Sequence, residues 1–322
     1  MATSLACAGG ESKVTNRSRQ LSIAEAADIL RSGDLCAVPT ETVYGLAALA
    51  SNGEAVAKIY GTKGRPSFNP LIVHCLSLDE AERVIKLDHC AYGLAASFWP
   101  GALTIVLDKQ EDAPVADLAA AGLPTLAVRV PAHPVMRELL EAVGAPLVAP
   151  SANRSGKLSP TRAEHVIADF DGLVPVLDGG PCEAGIESTI ISLTNSKPTL
   201  LRPGAIPAQK IEARLGHPLA EASRGIEAPG MMTSHYAPNA SLRLNTDDAS
   251  PDEVLLGFGG TGGAALDLSP RGDLREAAAN LFGFLRELDT QGRPIAVAPI
   301  PEDGLGQAIN DRLRRAAAPR DA

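Results

Sequence analysis

Three separated segments of this 322-residue chain carry side chains suited to gripping an anion. Pro39-Thr40-Glu41-Thr42-Val43-Tyr44-Gly45 offers hydroxyls. Lys63-Gly64-Arg65-Pro66 offers two cations, and Pro150-Ser151-Ala152-Asn153 runs on to Ser159-Pro160-Thr161 with hydroxyl and amide donors. Each lies where an apolar run stops and a Gly/Pro/Ser/Thr-rich loop begins, the place where α/β proteins keep their chemistry. Between Leu21 and Ile206 there are 14 Lys/Arg against 21 Asp/Glu. Seven of those bases (Lys63, Arg65, Arg129, Arg154, Lys157, Arg162 and Arg202) lie in or beside the loops, or at a strand position able to point at them. Bases gathered at loops of an acidic domain imply a focused site for an anionic small molecule. Nucleotide phosphates and carboxylates are the natural ligands, because the arginine fork meets both in bidentate fashion.

Taken singly, the motifs carry competing readings. Lys63 and Arg65 repel each other unless an anion or acid sits between them. An isolated pair of this kind is more often a solvated turn, but Pro66 and Asn69-Pro70 stiffen the loop. Arg129, read as a strand-interior residue, needs a partner because an unpaired buried charge is very costly. A structural acid and a ligand carboxylate both remain open. Ser159-Pro160-Thr161-Arg162-Ala163-Glu164 reads as a helix start with a Thr161/Glu164 capping box, which is compatible with phosphate binding at the helix N-terminus. His74 has no Asp or Ser beside it for a triad. Ser151 is not in a G-x-S-x-G elbow, so Ser151 and Asn153 read as hydrogen-bond donors, not nucleophiles. Gly257-Phe258-Gly259-Gly260-Thr261-Gly262 matches G-x-G-x-x-G, but no helix pattern follows it, which favours a plain turn over a dinucleotide site.

The elements that must position these residues are short. Strands are expected at Leu35–Val38, Leu71–His74, Leu103–Leu107, Leu126–Val130, Leu147–Ala149, Val174–Leu177, Ser188–Ser192 and Thr199–Leu201. Helices are expected at Ile23–Ser32, Ala55–Tyr60, Leu78–Ile85, Tyr92–Phe98, Pro134–Val143 and Thr161–Phe170. Near-continuously apolar strands imply a sheet covered on both faces. The fold class is therefore mixed α/β (α+β), a twisted mixed sheet flanked by helices over residues 21–206. Residues 207–239 read as a linker. From Ala240 a strand–helix–strand–helix order implies a small Rossmann-like parallel α/β domain over residues 240–322.

Composition narrows the class. The chain is 45% hydrophobic, enough for a real core, but only 3% aromatic, so that core must be built from Ala, Val, Leu and Ile. A net charge of −9 argues against a general nucleic-acid binder and against an electrostatic membrane-surface protein. The cysteines (Cys7, Cys36, Cys75, Cys90, Cys182) form no CxxC pair and no zinc spacing, so they read as reduced thiols and a cytoplasmic location is expected. No apolar run is long enough to span a membrane. Residues 1–20 lack the apolar stretch of a signal peptide and are expected to be a disordered tail.

Taken in order, the motifs resemble those of the YrdC-type L-threonylcarbamoyladenylate synthases. They are P-T-E-T-V-Y-G-L at 39–46, K-G-R-P with N-P-L-I-V-H at 63–74, W-P-G-A-L-T at 99–104, A-V-R-V-P at 127–131, A-P-S-A-N-x-S-G at 149–156 with S-P-T at 159–161, E-S-T-I-I at 187–191 and L-R-P-G-A-I at 201–206. The linker P-G-M-M-x-S-H-Y-A-P and the tail G-L-G-Q-A-I-N-D-R-L at 304–313 resemble the longer, two-domain branch. The resemblance implies synthesis of threonylcarbamoyl-AMP from L-threonine, bicarbonate and ATP, with Mg2+ accompanying ATP. The product would pass to a downstream threonylcarbamoyl-transfer machinery that modifies tRNA, with no stable nucleic acid and no membrane as partner. It also implies that Thr40, His74, Arg129 and Ser188 line the threonine side. Lys63, Arg65, Asn69, Ser151, Asn153, Ser159 and Arg202 would handle ATP, Lys63 and Arg65 would be the catalytic cations, and Tyr236 would fold over the pocket as part of a lid. Two positions depart from the family pattern: Gly64, where a bulkier residue is common, and Met232-Thr233-Ser234, where a basic residue often precedes the His-Tyr pair.

Other readings compete. An RNA-binding module conflicts with the acidic balance and the lack of interleaved aromatic and basic residues. A dinucleotide oxidoreductase would rest on the Gly257 turn alone. A carbamoyl-transfer enzyme would need zinc-finger or acylphosphatase-like segments that the sequence lacks.

Overall fold

The computed structural model of the chain describes residues 21–222 and 235–319. The expected tail over 1–20 and the linker positions Pro229–Ser234 lie outside the described residues.

Nine short strands build the first sheet: β1 (Cys36–Val38), β2 (Gly45–Leu49), β3 (Ile72–His74), β4 (Leu103–Asp108), β5 (Thr125–Arg129), β6 (Leu147–Val148), β7 (Thr189–Ser192), β8 (Thr199–Arg202) and β9 (Ala220–Glu221). Their order is β1-β2-β6-β3-β5-β4-β7-β8-β9. Three parallel pairs (β3/β5, β4/β7, β8/β9) stand among five antiparallel ones, so the sheet is mixed, as expected. Helices Ile23–Arg31 and Pro134–Val143 pack together over one face around Leu30, Met136 and Leu140. Helices Gly53–Lys63 and His89–Phe98 contribute to the core on the other, around Ile59, Leu71 and Leu94. Both cores are predominantly aliphatic, as the composition demands, with Tyr44, Tyr60 and Phe170 the buried aromatics of the latter. The first helix starts where its capping box predicts: Ser22 accepts from Glu25 N, and Glu25 reaches back to Ser22 N at 2.9 Å.

Several elements depart from the sequence reading. The helix expected from Ala55 to Tyr60 runs Gly53–Lys63, so Lys63 closes a helix and does not lie in a loop. Gly64 is its left-handed cap, with φ 62°, a conformation that disfavours any residue with a Cβ. Glycine thus fits this position structurally. The helix expected from Thr161 is Ala163–Asp169, and the Thr161/Glu164 capping box does not form. Thr161 N donates to His165 Nδ1 instead, and Arg162 occupies the cap without a side-chain bond. The strand expected over Val174–Leu177 reduces to a single bridge, Ala37 to Val176, because Pro175 has no N–H to extend a ladder. Arg129 ends its strand and is not interior to it.

The stretch read as linker begins with helix Ala208–Leu215 and β9, which extends the first sheet beside β8. The second sheet comprises β10 (Leu242–Arg243), β11 (Val254–Gly257), β12 (Leu266–Asp267) and β13 (Ile295–Val297), in the order β10-β13-β11-β12. All three pairings are parallel, as the element order predicts. Helices Leu274–Asp289 and Gly306–Ala317 cover it. In the Gly257–Gly262 turn, Asp267 Oδ2 accepts from Gly260 N and Thr261 N at 3.0 and 3.1 Å. A carboxylate of the chain itself fills the place a dinucleotide phosphate would need. The second core is not closed on itself. Val43, Leu158, Ile186 and Tyr236 pack into it alongside Phe282 and Leu313. Among the described residues no helix is long and apolar enough to cross a membrane.

Candidate active site

The ends of β2, β3, β5 and β8 and the loops after β1 and β6 close around one small cavity. Thr40, Arg65, His74, Arg129, Ser151, Ser188, Arg202 and Tyr236 line it, together with Thr42, Ile72, Ala149, Glu187 and His235. About 50 Å³ of free space remains inside. That is room for a few waters and well short of the roughly 300–1,000 Å³ of a small-molecule pocket, so a nucleotide does not fit.

The cations are fixed by neighbouring backbone and amide groups. Arg65 donates from Nε and Nη2 to the Asn69 carbonyl and Oδ1, at 3.1 and 2.6 Å, and again to Pro70 O at 2.8 Å. Asn69 therefore holds Arg65 in place. Arg202 donates from Nε and Nη2 to Ser188 O and from Nη2 to Ser188 Oγ at 3.1 Å; Ser188 Oγ lies 2.7 Å from Thr104 Oγ1. Gly204 allows this: a Cβ there would sit 2.5 Å from Glu187 O and Thr189 N, so only glycine lets the segment after Arg202 lie against Glu187–Thr189. Arg129 donates to Gly101 O and Thr42 Oγ1 and pairs with Glu41, so the structural acid left open by the sequence is present. Burial lowers Arg65 to about 10 and also lowers Arg202. These shifts express the cost of keeping guanidinium groups out of water, a cost that an entering anion would relieve.

The other expected residues stand in the wall or behind it. Lys63 Nζ is buried and donates to the carbonyls of Ser151 and Asn153, both at 2.5 Å, so it braces the 151–153 loop from behind. Burial first, and the charge of Arg65 second, lower its pKa well below that of an ordinary lysine. Asn153 turns its amide onto Arg154 O and Lys157 O. Ser159 donates to Glu187 Oε1 at 2.5 Å. Thr40 donates to Val43 O at 2.6 Å and meets Thr42 Oγ1 at 2.8 Å. His74 Nδ1 lies 3.2 Å from Ile72 O, which can only accept, so Nδ1 carries the proton and Nε2 is an acceptor. Burial, reinforced by the charge of Arg129, holds this imidazole neutral down to about 3.

The seven-base cluster divides. Lys63, Arg65, Arg129 and Arg202 converge, whereas Arg154, Lys157 and Arg162 line a separate, open groove of about 650 Å³ between the two domains. Arg154 donates to Thr62 O and Lys157 to Asn239. Among residues without an assigned role in the sequence reading, Glu41, Thr42, Glu187 and His235 form part of the site, and Arg312 anchors it from the second domain. All five stand inside the quoted motifs, but their types alone did not separate them from structural neighbours.

Tyr236 connects the domains. Its ring is fully buried against Phe282, with the Arg312 guanidinium 5.2 Å from its centroid. Its φ of 61° is unusual for a residue with a Cβ. Such strain persists where surrounding structure enforces it, commonly at functional segments. Its hydroxyl and His235 Nδ1 are buried without a hydrogen-bond partner in this closed state. No group of three or more metal-ligating side chains occurs among the described residues.

Two family models account for the chain. One, described as "Telomere recombination", matches residues 28–204; the other, "Threonylcarbamoyl-AMP synthase, C-terminal domain", matches residues 206–318. The threonylcarbamoyl-AMP synthase of Bacillus subtilis is 40% identical, with 92% of this chain and 93% of that protein covered. The one from Pyrococcus abyssi is 41% identical, with 95% and 97% covered. A crystal structure of the P. abyssi protein, Sua5, complexed with L-threonine superposes with a TM-score of 0.85 at 39% identity, covering 92% of this chain and 94% of that one. On these matches, spanning both domains, the chain belongs to the threonylcarbamoyl-AMP synthase family, in its two-domain Sua5 branch.

Proposed function

We propose that this protein is an L-threonylcarbamoyladenylate synthase that makes threonylcarbamoyl-AMP for tRNA modification. The observation that carries this reading is the convergence of Arg65, Arg129 and Arg202 with Thr40, His74, Ser151 and Ser188 on one cavity in an otherwise acidic chain.

The amine of L-threonine combines with bicarbonate to give a carbamate and water. A carbamate oxygen then attacks the α-phosphate of ATP, forming the mixed anhydride and releasing pyrophosphate. Arg129 takes the threonine carboxylate. His74 Nε2, Thr40 and Ser188 meet the amino acid's polar groups. Arg65 and Arg202 stabilise the phosphates as charge redistributes in the transition state. Asn69 and Ser159 act through the groups they hold, Asn153 through the carbonyls of Arg154 and Lys157 that its amide holds, and Lys63 through the 151–153 loop, where Ser151 faces the nucleotide. Mg2+ would accompany ATP as part of the substrate, neutralising phosphate charge beside these arginines. No protein nucleophile is required.

The cavity is too small for ATP, so the His235–Tyr236 segment must withdraw for entry and return for chemistry. Its return excludes water from a carbamate that water would destroy. The product is a reactive anhydride, which suits direct use by a cytoplasmic threonylcarbamoyl-transfer machinery. Pyrophosphate release measured with each substrate omitted in turn tests the proposal. Release should require ATP, L-threonine and bicarbonate together; release from ATP alone would refute it.

A further inference from the structure

Glu41 stands behind Arg129, off the cavity wall. Its Oε1 lies 2.5 Å from Arg129 Nη2, with the two side chains 15% and 3% exposed. The same guanidinium donates from Nε to Gly101 O at 3.0 Å and from Nη1 to Thr42 Oγ1 at 2.8 Å. Contacts at all three nitrogens fix both the plane of the guanidinium and its rotation about the side chain. A guanidinium has five N–H groups, so donors remain beyond these three contacts, on a residue that also lines the cavity.

The clamp is itself anchored. Ala184 N donates to Glu41 O at 2.9 Å, which ties the backbone of Glu41 to the 178–186 segment. Thr42 Oγ1 is held by Thr40 at 2.8 Å. A counter-charge alone could sit anywhere within several ångströms, because the attraction falls off only slowly with distance. Direct contact, shared with two other fixed acceptors, is the arrangement that sets direction.

We propose that Glu41 is a positioning residue for the amino-acid substrate: it locks the Arg129 guanidinium so that its remaining N–H groups meet the substrate carboxylate in a bidentate fork. This rests on the assignment of Arg129 to that carboxylate. Glu41 never touches the substrate; it acts only through Arg129.

The test compares Glu41→Ala, Glu41→Gln and Glu41→Asp by pyrophosphate release, varying L-threonine and ATP separately. Glu41→Ala should raise the KM for threonine about 10- to 100-fold, the range spanned by a hydrogen bond to a charged group, and move the KM for ATP far less. Gln keeps an acceptor in the same place without the charge and should recover most of that loss. Asp keeps the charge but falls one methylene short and should not. Because Gln and Asp alter volume little, they decide the matter even if the alanine variant fails to fold. Rescue by Asp and not by Gln would overturn the inference in favour of a counter-charge. An unmoved threonine KM in all three variants, or equal rises for threonine and ATP, would also overturn it. Wild-type release that ignores threonine would remove the underlying assignment too, whereas active wild type with unmoved variants removes this inference alone.

Discussion

Arg312, in the last helix of the second domain, pairs with Glu187 of the first, Nε to Oε2 at 2.9 Å, with the arginine side chain wholly buried and the carboxylate side chain 7% exposed. Glu187 also takes the hydroxyl of Ser159, and Arg312 donates to Pro203 O, one residue beyond Arg202. One guanidinium thus connects the Ser159 loop, the end of β8 and the ring of Tyr236. The second domain braces the wall of the site from behind, through Glu187 and Tyr236.

Arg312→Ala should therefore damage both stability and activity. Removing one partner leaves Glu187 buried without its main counter-charge, which costs about 3–5 kcal/mol. Glu187 keeps Ser159 in place, so the KM for ATP should rise as well. Replacing both residues by methionine should recover much of the stability, since two apolar side chains can fill the space of a buried pair. It should not recover activity. Urea denaturation and pyrophosphate release check the two parts; full activity in Arg312→Ala would show that the domains are not coupled through this pair.

Arg129→Ala separates the two halves of the pocket. If Arg129 grips the threonine carboxylate, its loss should raise the KM for threonine by about 100-fold, with a much smaller effect on ATP. Equal effects on both substrates, measured by initial rates at saturating partner, would refute the assignment.

The converging residues were legible because each loop motif names its own chemistry: cations at 63–65, hydroxyls at 39–42, donors at 150–153. The mixed sheet was legible from short apolar runs. What did not follow was anything set by contacts distant in sequence. Lys63 looks like a free loop cation, but the three further residues of helix after Tyr60 turn it onto the carbonyls of Ser151 and Asn153. Glu41 is 88 residues from Arg129, and Glu187 is 125 from Arg312, so neither pairing leaves a local trace. β2, Gly-Leu-Ala-Ala-Leu, went unread because it lacks the β-branched residues that mark strands; its place between β1 and β6 makes it one. Val174–Leu177 shows the converse, an apolar run that a proline keeps from becoming a strand.

Gly64 offers a narrow test of local conformation. Its φ is 62°, and a Cβ would meet nothing within 4 Å, so substitution costs backbone conformation and not space. Gly64→Ala should lose about 1 kcal/mol, equivalent to about 1–2 °C in Tm for a protein of this length. The cap fixes where the chain turns into Arg65, so a modest rise in the KM for ATP should accompany it. An unchanged or higher Tm by calorimetry would show that the left-handed cap is not maintained in solution.

The buried histidines fix the direction of the pH dependence of stability. Burial holds His74 down at about 3, with Arg129 adding to the effect. Burial also holds His235 at about 3; Glu187 opposes this, while Arg65, Lys63 and Arg202 reinforce it. In the unfolded chain both would titrate near an ordinary histidine value, about 6.5. Between these limits the unfolded state binds protons that the folded state refuses, so stability rises with pH through this interval. The full contribution is present above about 6.5 and is lost as pH falls toward 3, the reverse of a histidine stabilised by an acidic partner. Each imidazole should account for about 1.4 kcal/mol of lost stability at pH 5.5. His165, pushed down to about 4 chiefly by burial, acts in the same direction. Glu41 and Glu187, both held below the usual carboxylate range because their arginine partners outweigh burial, begin to contribute only at lower pH, which leaves the interval from about 6.5 to 5 to the histidines. Urea unfolding across that interval should show a steady fall in stability, and His74→Gln should reduce the fall by a single histidine's share. A flat profile would mean that the imidazoles reach water, and that the closed pocket is not the dominant state of the free protein.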